Sequence, residues 1–308
     1  MEIDFTNAKI DPFKMYGGAN GNKIGIVHQG ETFMLKFPPK PTVNPNMSYT
    51  NSCISEYVAC HIFGSLGIDT QETVLGRYKD KVTVACKDFE VDGFIFKDFA
   101  HLKNTIIDSE QNGYGTELND ILAAIGEQQL MSPVDLEQFF WEMFVGDALL
   151  GNFDRHNGNW GFLLNSSTGE IKIAPIYDCG SCLYPQMEEK SMEHVMSNAA
   201  EIEKRLFEYP TSAIAQGKKK INYAQFLMTT DNAECLAALQ TIGSRIDLTK
   251  INLMIDNTPF ISDVHKQFLK TMVKARKEKI IDTALTRVRN KCVERTAPRN
   301  RGADRDSR

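Results

Sequence analysis

The sequence has no apolar run of the roughly 18 residues that a membrane span needs. Its most apolar stretch, 139–150, is interrupted by Glu142 and Asp147 and reads as a buried helix. No secretory leader is expected, because residues 1–14 carry Glu2, Asp4, Lys9, Asp11 and Lys14 and no apolar core. There is no internal repeat, which excludes solenoid and propeller architectures. Cysteine is present but unpatterned. The 7 cysteines in 308 residues are odd in number and scattered, so a disulfide framework is not expected and reduced thiols in a cytoplasm are. The lone Cys-x-x-Cys, Cys179 and Cys182, lacks the second pair of a zinc site and the early-helix context of a thioredoxin. Basic residues are in deficit, 35 against 40 acids, and the net charge of −5 argues against nucleic acid as a stable partner.

What is present divides the chain into parts. Residues 22–27 and 32–37 read as a hairpin turning at Gly30, and the prolines at 38, 39 and 41 end it. A helix is expected over 51–66, from Ile54, Tyr57, Val58, His61, Ile62 and Leu66 at three- and four-residue steps, with Gly67 as terminator. Two more strands are expected at 70–78 and 81–87. After residue 90 the pattern turns mostly helical. The clearest helix runs from Pro133 to Leu150, with Ser132 as N-cap and Asp135 and Glu137 near its positive end. The expectation is an α+β chain: a strand-rich lobe over 1–89, a helical lobe over 90–289, and a basic disordered tail over 290–308. From Arg287 onward there are seven Arg and one Lys against three acids. Such a tail suits an acidic partner, and a crevice between two such lobes suits a nucleotide.

Chemistry concentrates in one segment. Asp154 is followed five residues later by Asn159, and after a short hairpin (160–174) comes Tyr177-Asp178. Phosphoryl transfer from ATP requires this set: a carboxylate that orients or deprotonates a hydroxyl, and an Asn and a second Asp that hold magnesium against phosphates. Lys36, charged within an apolar strand, reads either as an edge-strand charge or as a phosphate contact, and Glu56 on the following helix either as an exposed residue or as its ion-pair partner. Residues 17–25 are rich in small residues whose N–H groups can approach phosphates, although they fit neither G-x-G-x-x-G nor the P-loop. The strand ending at Lys87 hands the chain to the second lobe, a position where backbone can meet an adenine edge.

Assembled, these residues resemble the HipA-like serine/threonine kinases, and more closely their short, single-chain cell-translocating group, over roughly residues 3–285. The carriers are Gly18-Ala19-Asn20, Lys36, Ser55-Glu56-Tyr57, the run from Asp154 to Asn159, and Pro175-Ile176-Tyr177-Asp178. The resemblance implies a bilobal protein-kinase-like fold, ATP with Mg2+ as cofactors, and a protein substrate with a Ser or Thr acceptor, with autophosphorylation. It implies Asp154 as catalytic residue and Asn159 and Asp178 as metal ligands. Nucleotide contacts would come from Gly18, Ala19, Asn20, Gly21, Asn22, Lys23, Lys36, Glu56, Asp88, His156 and Tyr177, with Ala85, Cys86 and Lys87 as the adenine-contacting hinge. It also implies export, without a signal peptide, to act on host proteins. The loop Tyr16-Gly-Gly-Ala-Asn-Gly carries no Ser or Thr, so the loop autophosphorylation that silences longer members has no acceptor there. Asp-Arg-His-Asn-Gly-Asn is also similar to the catalytic loop of phosphatidylinositol 3- and 4-kinases, which makes a lipid kinase the alternative. Against it, the residues after Asp178 are not basic. A nucleotide-binding pseudokinase module is the other alternative.

Overall fold

The structure is a computed structural model, and it describes residues 2–16, 23–43, 47–107 and 112–296, the last six as backbone only. The expected phosphate loop, including Gly18, Ala19, Asn20, Gly21 and Asn22, lies outside the described residues.

The chain forms two lobes. In the first, β1 (Lys9–Ile10), β2 (Lys23–His28), β3 (Glu31–Lys36), β4 (Thr73–Tyr78) and β5 (Lys81–Lys87) make one antiparallel sheet in the order β1-β2-β3-β5-β4. Alternation sorts its faces. Ile26, Phe33, Leu35 and Ala85 pack with Phe5 on one side. Leu75, Val84 and Cys86 pack against α1 (Ser52–Ser65) on the other.

The second lobe begins with β6 (Phe94–Asp98), α2 (Phe99–Ile106) and α3 (Leu118–Glu127). Its axis is α4 (Pro133–Leu150). Ser132 Oγ caps this helix by accepting from Asp135 N at 3.4 Å, and Gly151 ends it with a left-handed φ of 64°. From Phe140 to Leu150 every residue of α4 is buried, as expected of a helix apolar on all sides. The hairpin β7 (Gly161–Asn165) and β8 (Glu170–Ile173) follows, with β6 added to its edge in the order β6-β7-β8. Then come α5 (Glu189–Met196), α6 (Ala199–Phe207), the short hairpin β9 (Ala215–Gln216) and β10 (Lys219–Lys220), α7 (Tyr223–Thr229), α8 (Ala233–Arg245), α9 (Leu248–Asp256), α10 (Asp263–Arg276), a π-helical turn (Lys277–Ile281) and α11 (Asp282–Thr296). No described helix is long and apolar enough to cross a membrane.

One hydrophobic core runs from α1 through α4 into α8–α10. Helix α1 is held by the second lobe at both ends. At its start Asn51 donates from its backbone N to Pro185 O (2.7 Å) and from Nδ2 to Met187 O (3.1 Å). At its end Arg245 Nη1 donates to Leu66 O (3.1 Å), while Ile176 exchanges backbone bonds with Asp69 and Gln71.

The basic tail expected to be disordered from residue 290 needs correction, because α11 continues to Thr296. Ala284 and Val288 are buried, and Arg287 ties the first half of this helix to the carbonyls of Thr229 and Thr230 and to Asp231. Residues 297–308 lie outside the described residues.

Candidate active site

The end of α4 builds the site. Asn152, fully buried, donates from Nδ2 to Asp147 Oδ1 (2.8 Å) and accepts at Oδ1 from the Asp154 backbone N (3.1 Å). Asp154 is thus fixed one turn beyond a rigid helix, at the edge of a cleft of about 820 Å³ between the lobes. Burial raises its carboxyl above the usual carboxylate range; His156 opposes this and the nearby Asp178 adds to it.

Arg155 organises the two loops from behind. It is buried, and its Nε and Nη2 donate to Asp147 Oδ2 and Oδ1 at 3.0 and 3.3 Å. Its Nη1 donates to Asn159 O (2.8 Å) and Tyr177 O (2.6 Å), and Nη2 reaches Cys179 Sγ at 3.3 Å. One guanidinium therefore sets the distance between Asn159 and the peptide that precedes Asp178. Tyr177 Oη adds a second tie by donating to Gly158 O (2.6 Å). Asn159 Nδ2 donates to Asp154 O (2.8 Å), which leaves the amide oxygen as the end available to a cation. Asp178 has a left-handed backbone, φ 55°, a conformation that non-glycine residues adopt rarely and mostly in functional loops.

Across the cleft, Lys36 Nζ lies 3.1 Å from both Asp178 Oδ1 and Glu56 Oε1. This settles the sequence ambiguity at both positions: Lys36 faces the cleft and Glu56 is buried beside it. Lys36 holds the Asp178 carboxyl down to about 2. Burial alone would lower the Lys36 ammonium, but Asp178 and Glu56 outweigh it and keep the group charged. Glu56 Oε1 sits off the hydrogen-bonding direction and is buried without such a bond, so this face of the cation is held by charge alone. Lys23 also lines the cleft, and its charge contributes to lowering Asp178.

His156 lines the cleft and accepts from Gly158 N at Nδ1 (3.0 Å), which puts the proton of a neutral ring on Nε2. Tyr177 forms an aromatic wall with Phe89 and Phe96, with centroids at 5.7 and 5.3 Å.

The residues expected as the adenine-contacting hinge sit inside the first-lobe sheet. Ala85, Cys86 and Lys87 lie within β5, the strand between β3 and β4, where the ladder pairs Ala85 with Leu35 and Val74, and Cys86 with Met34 and Thr73. Lys87 turns to Glu31 and Glu72. Their backbone groups serve the sheet rather than a ligand. The cleft is lined instead by Asp88, Phe89 and Glu90. Asp88 also has a side-chain role: its Oδ2 accepts from Tyr16 Oη (2.8 Å) and pairs with Lys14 Nζ (2.6 Å), anchoring the irregular segment before residue 17.

Asp178 and Asn159 offer hard oxygen donors, two protein ligands on one cleft, and a magnesium ion completed by phosphate oxygens and water fits that donor set. No cluster of three His, Cys, Asp or Glu that would form an all-protein metal cage occurs among the described residues. Sequence reasoning missed Arg155, Asn152, Phe89 and Phe96. The one available signal was Asp147, an acid in an apolar helix that needed a partner.

Comparison with known proteins agrees with this geometry. Residues 15–243 match the model of the HipA-like C-terminal domain. The chain is 55% identical over 286 residues to the serine/threonine-protein kinase CtkA of Helicobacter pylori, covering 92% of this chain and 88% of that one. The crystal structure of a Helicobacter pylori proinflammatory kinase CtkA superposes with a TM-score of 0.88 at 54% identity, over 93% of this chain and 98% of that one. HipA of Shewanella oneidensis, solved with HipB and operator DNA, shares the fold at a TM-score of 0.55 and 14% identity, over 90% of this chain and 70% of that one.

Proposed function

This chain belongs to the HipA-like C-terminal domain family, and from that premise we propose that it is an ATP-dependent serine/threonine protein kinase with Asp154, Asn159 and Asp178 at its centre. The observation that carries the reading is the single cleft onto which Asp154, Asn159, Asp178, Lys36 and Lys23 all open.

Asp154 orients the acceptor hydroxyl and takes its proton as the oxygen bonds to the γ-phosphorus and ADP leaves. Its raised carboxyl is suited to that transfer, because it is a better base than an exposed aspartate. Lys36, kept charged by Glu56 and Asp178, draws the nucleotide phosphates. Asn159 and Asp178 would hold magnesium, which when bound neutralises charge on the phosphate oxygens. Lys23 enters from the end of the phosphate loop. The wall of Phe89, Phe96 and Tyr177 offers an apolar face to the adenine, and the chain from Asp88 to Glu90 takes the hinge role first expected of Ala85–Lys87. Asp88 acts through Tyr16 and Lys14, and His156 through the loop it bonds.

The test is incubation with magnesium and γ-labelled ATP, with and without a generic protein substrate, beside Asp154→Ala. Label on Ser or Thr is expected from the parent protein. The variant should lose rate by about a hundredfold or more while keeping its ATP affinity, because Asp154 acts on the hydroxyl. Labelling unchanged by the substitution would remove Asp154 from the chemistry. Label only on phosphoinositide vesicles would establish the lipid-kinase alternative.

A further inference from the structure

The hairpin of β9 and β10 carries three consecutive lysines, Lys218, Lys219 and Lys220. Its base is built in. Ile214 and Ile221 are buried, Ser212 N donates to Ile221 O (2.8 Å), and Ile221 N donates to Ile214 O (2.9 Å). The ladder then pairs Ala215 with Lys220 and Gln216 with Lys219. Gly217 and Lys218 close the turn with φ of 60° and 67°, the left-handed pair of a two-residue hairpin loop. Glu117 clamps that turn: its two carboxylate oxygens accept from Gly217 N (2.9 Å) and Lys218 N (3.3 Å). The Glu117 carboxylate is therefore engaged with backbone.

The hairpin is also tied to the catalytic loop. Tyr223, two residues beyond Ile221, donates from Oη to Asn152 O (2.6 Å), and the same Asn152 holds the Asp154 amide. Lys220 is close enough to Asp154 for its charge to act on that carboxylate. Lys218, Lys219 and Lys220 are exposed, and none forms an ion pair among the described residues. Three adjacent like charges repel, and on a chain of net charge −5 carboxylates to relieve them are not scarce. The fold instead holds three exposed, unpaired ammonium groups on this one hairpin, with Lys220 the one whose charge reaches Asp154.

We propose that Lys218, Lys219 and Lys220 form a substrate-docking ridge that selects protein segments carrying Asp or Glu beside the acceptor Ser or Thr. The inference rests on the kinase reading above and adds a substrate class to it. Lysine suits such a role, since a flexible point charge reads the presence of carboxylates without demanding one geometry. Exposed charges of this kind act through encounter and specificity more than through raw affinity.

The experiment compares peptides with a single Ser, flanked by Ala, Glu, Lys or phosphoserine, as substrates of the full chain and of Lys218→Glu/Lys219→Glu. The substituted turn is exposed, and the ratio of kcat/KM between peptides within one variant cancels any loss of folded protein. The parent chain is expected to favour the Glu peptide over the Ala peptide by about tenfold at low salt, with the preference shrinking as salt rises. The variant should lose that preference and turn toward the Lys peptide. Equal use of Glu and Ala peptides by an active parent chain would overturn the ridge and leave the kinase reading standing, as would an unchanged ratio in the variant. Preference for phosphoserine with none for Glu would overturn the carboxylate assignment. Absence of labelling on every peptide and on the chain itself would instead sink the kinase reading, and the ridge with it.

Discussion

Replacing Arg155 with Met tests whether one buried guanidinium holds the site together. The substitution keeps much of the volume and removes the charge. Asp147, buried alongside it, would lose donors at 3.0 and 3.3 Å and keep only Asn152 Nδ2 at 2.8 Å. Removing one partner of a buried ion pair costs about 3–5 kcal/mol, because the other charge is left uncompensated. The carbonyls of Asn159 and Tyr177 would each lose a donor, adding on the order of 1 kcal/mol apiece. At roughly 2–4 °C per kcal/mol for a large domain, Arg155→Met should lower Tm by about 10–28 °C. Asp147→Asn in the same chain removes the stranded charge. The double variant should therefore recover part of the loss, with a coupling of about 2 kcal/mol or more in the double-mutant cycle. Its kcat should stay low even where it is fully folded, because only the Tyr177–Gly158 bond then ties the loops of Asn159 and Asp178 together. Thermal denaturation of the four proteins, followed by rates at a temperature where all are folded, gives both readouts. A Tm drop below about 3 °C for Arg155→Met, or strict additivity in the cycle, would refute the reasoning.

Asp154→Asn in metal-free buffer should raise Tm at pH 7.5. A carboxyl whose folded pKa is raised binds its proton more tightly folded than unfolded, so its stability contribution is present at low pH and lost as pH rises through the folded pKa. The penalty is then complete at neutral pH, and the gain from Asn should fade toward about pH 4, the unfolded aspartate value; equal Tm at pH 7.5 would contradict it. Gly146→Ala should destabilise by about 1–3 kcal/mol despite the better helix propensity of Ala, because the added methyl of α4 would overlap the Phe63 ring of α1. Urea denaturation reads it, and a stabilised variant would show that the two helices have room to part.

What could be read from the sequence depended on whether a signal was local. The bounds of α4 follow from Ser132, Pro133 and Gly151, all within a few residues of the ends they set. The order of Asp154, Asn159 and Asp178 is likewise written in the chain, and the hairpin between them brings the two loops together. Lys36 and Glu56 stayed ambiguous until the fold showed both facing the same cleft. Nothing in Val84–Lys87 tells that β5 has neighbours on both sides, one of them, β3, more than forty residues earlier. Strand β6 was missed for a related reason: its partner β7 lies far along the chain, across α2, α3 and α4. Arg155 is the clearest case. A charged residue beside a catalytic aspartate reads as exposed, and only packing reveals that it faces inward toward α4.

The double anchoring of α1 has a consequence for control. In many two-lobed kinases, activation consists of moving the corresponding helix inward so that its glutamate meets the strand lysine. Swinging α1 outward here would break bonds to Pro185, Met187, Arg245 and Ile176 and open a core continuous with α4. The resting enzyme is therefore built in the assembled state, without that helix as an on–off lever. Restraint on its activity then has to act somewhere other than on α1.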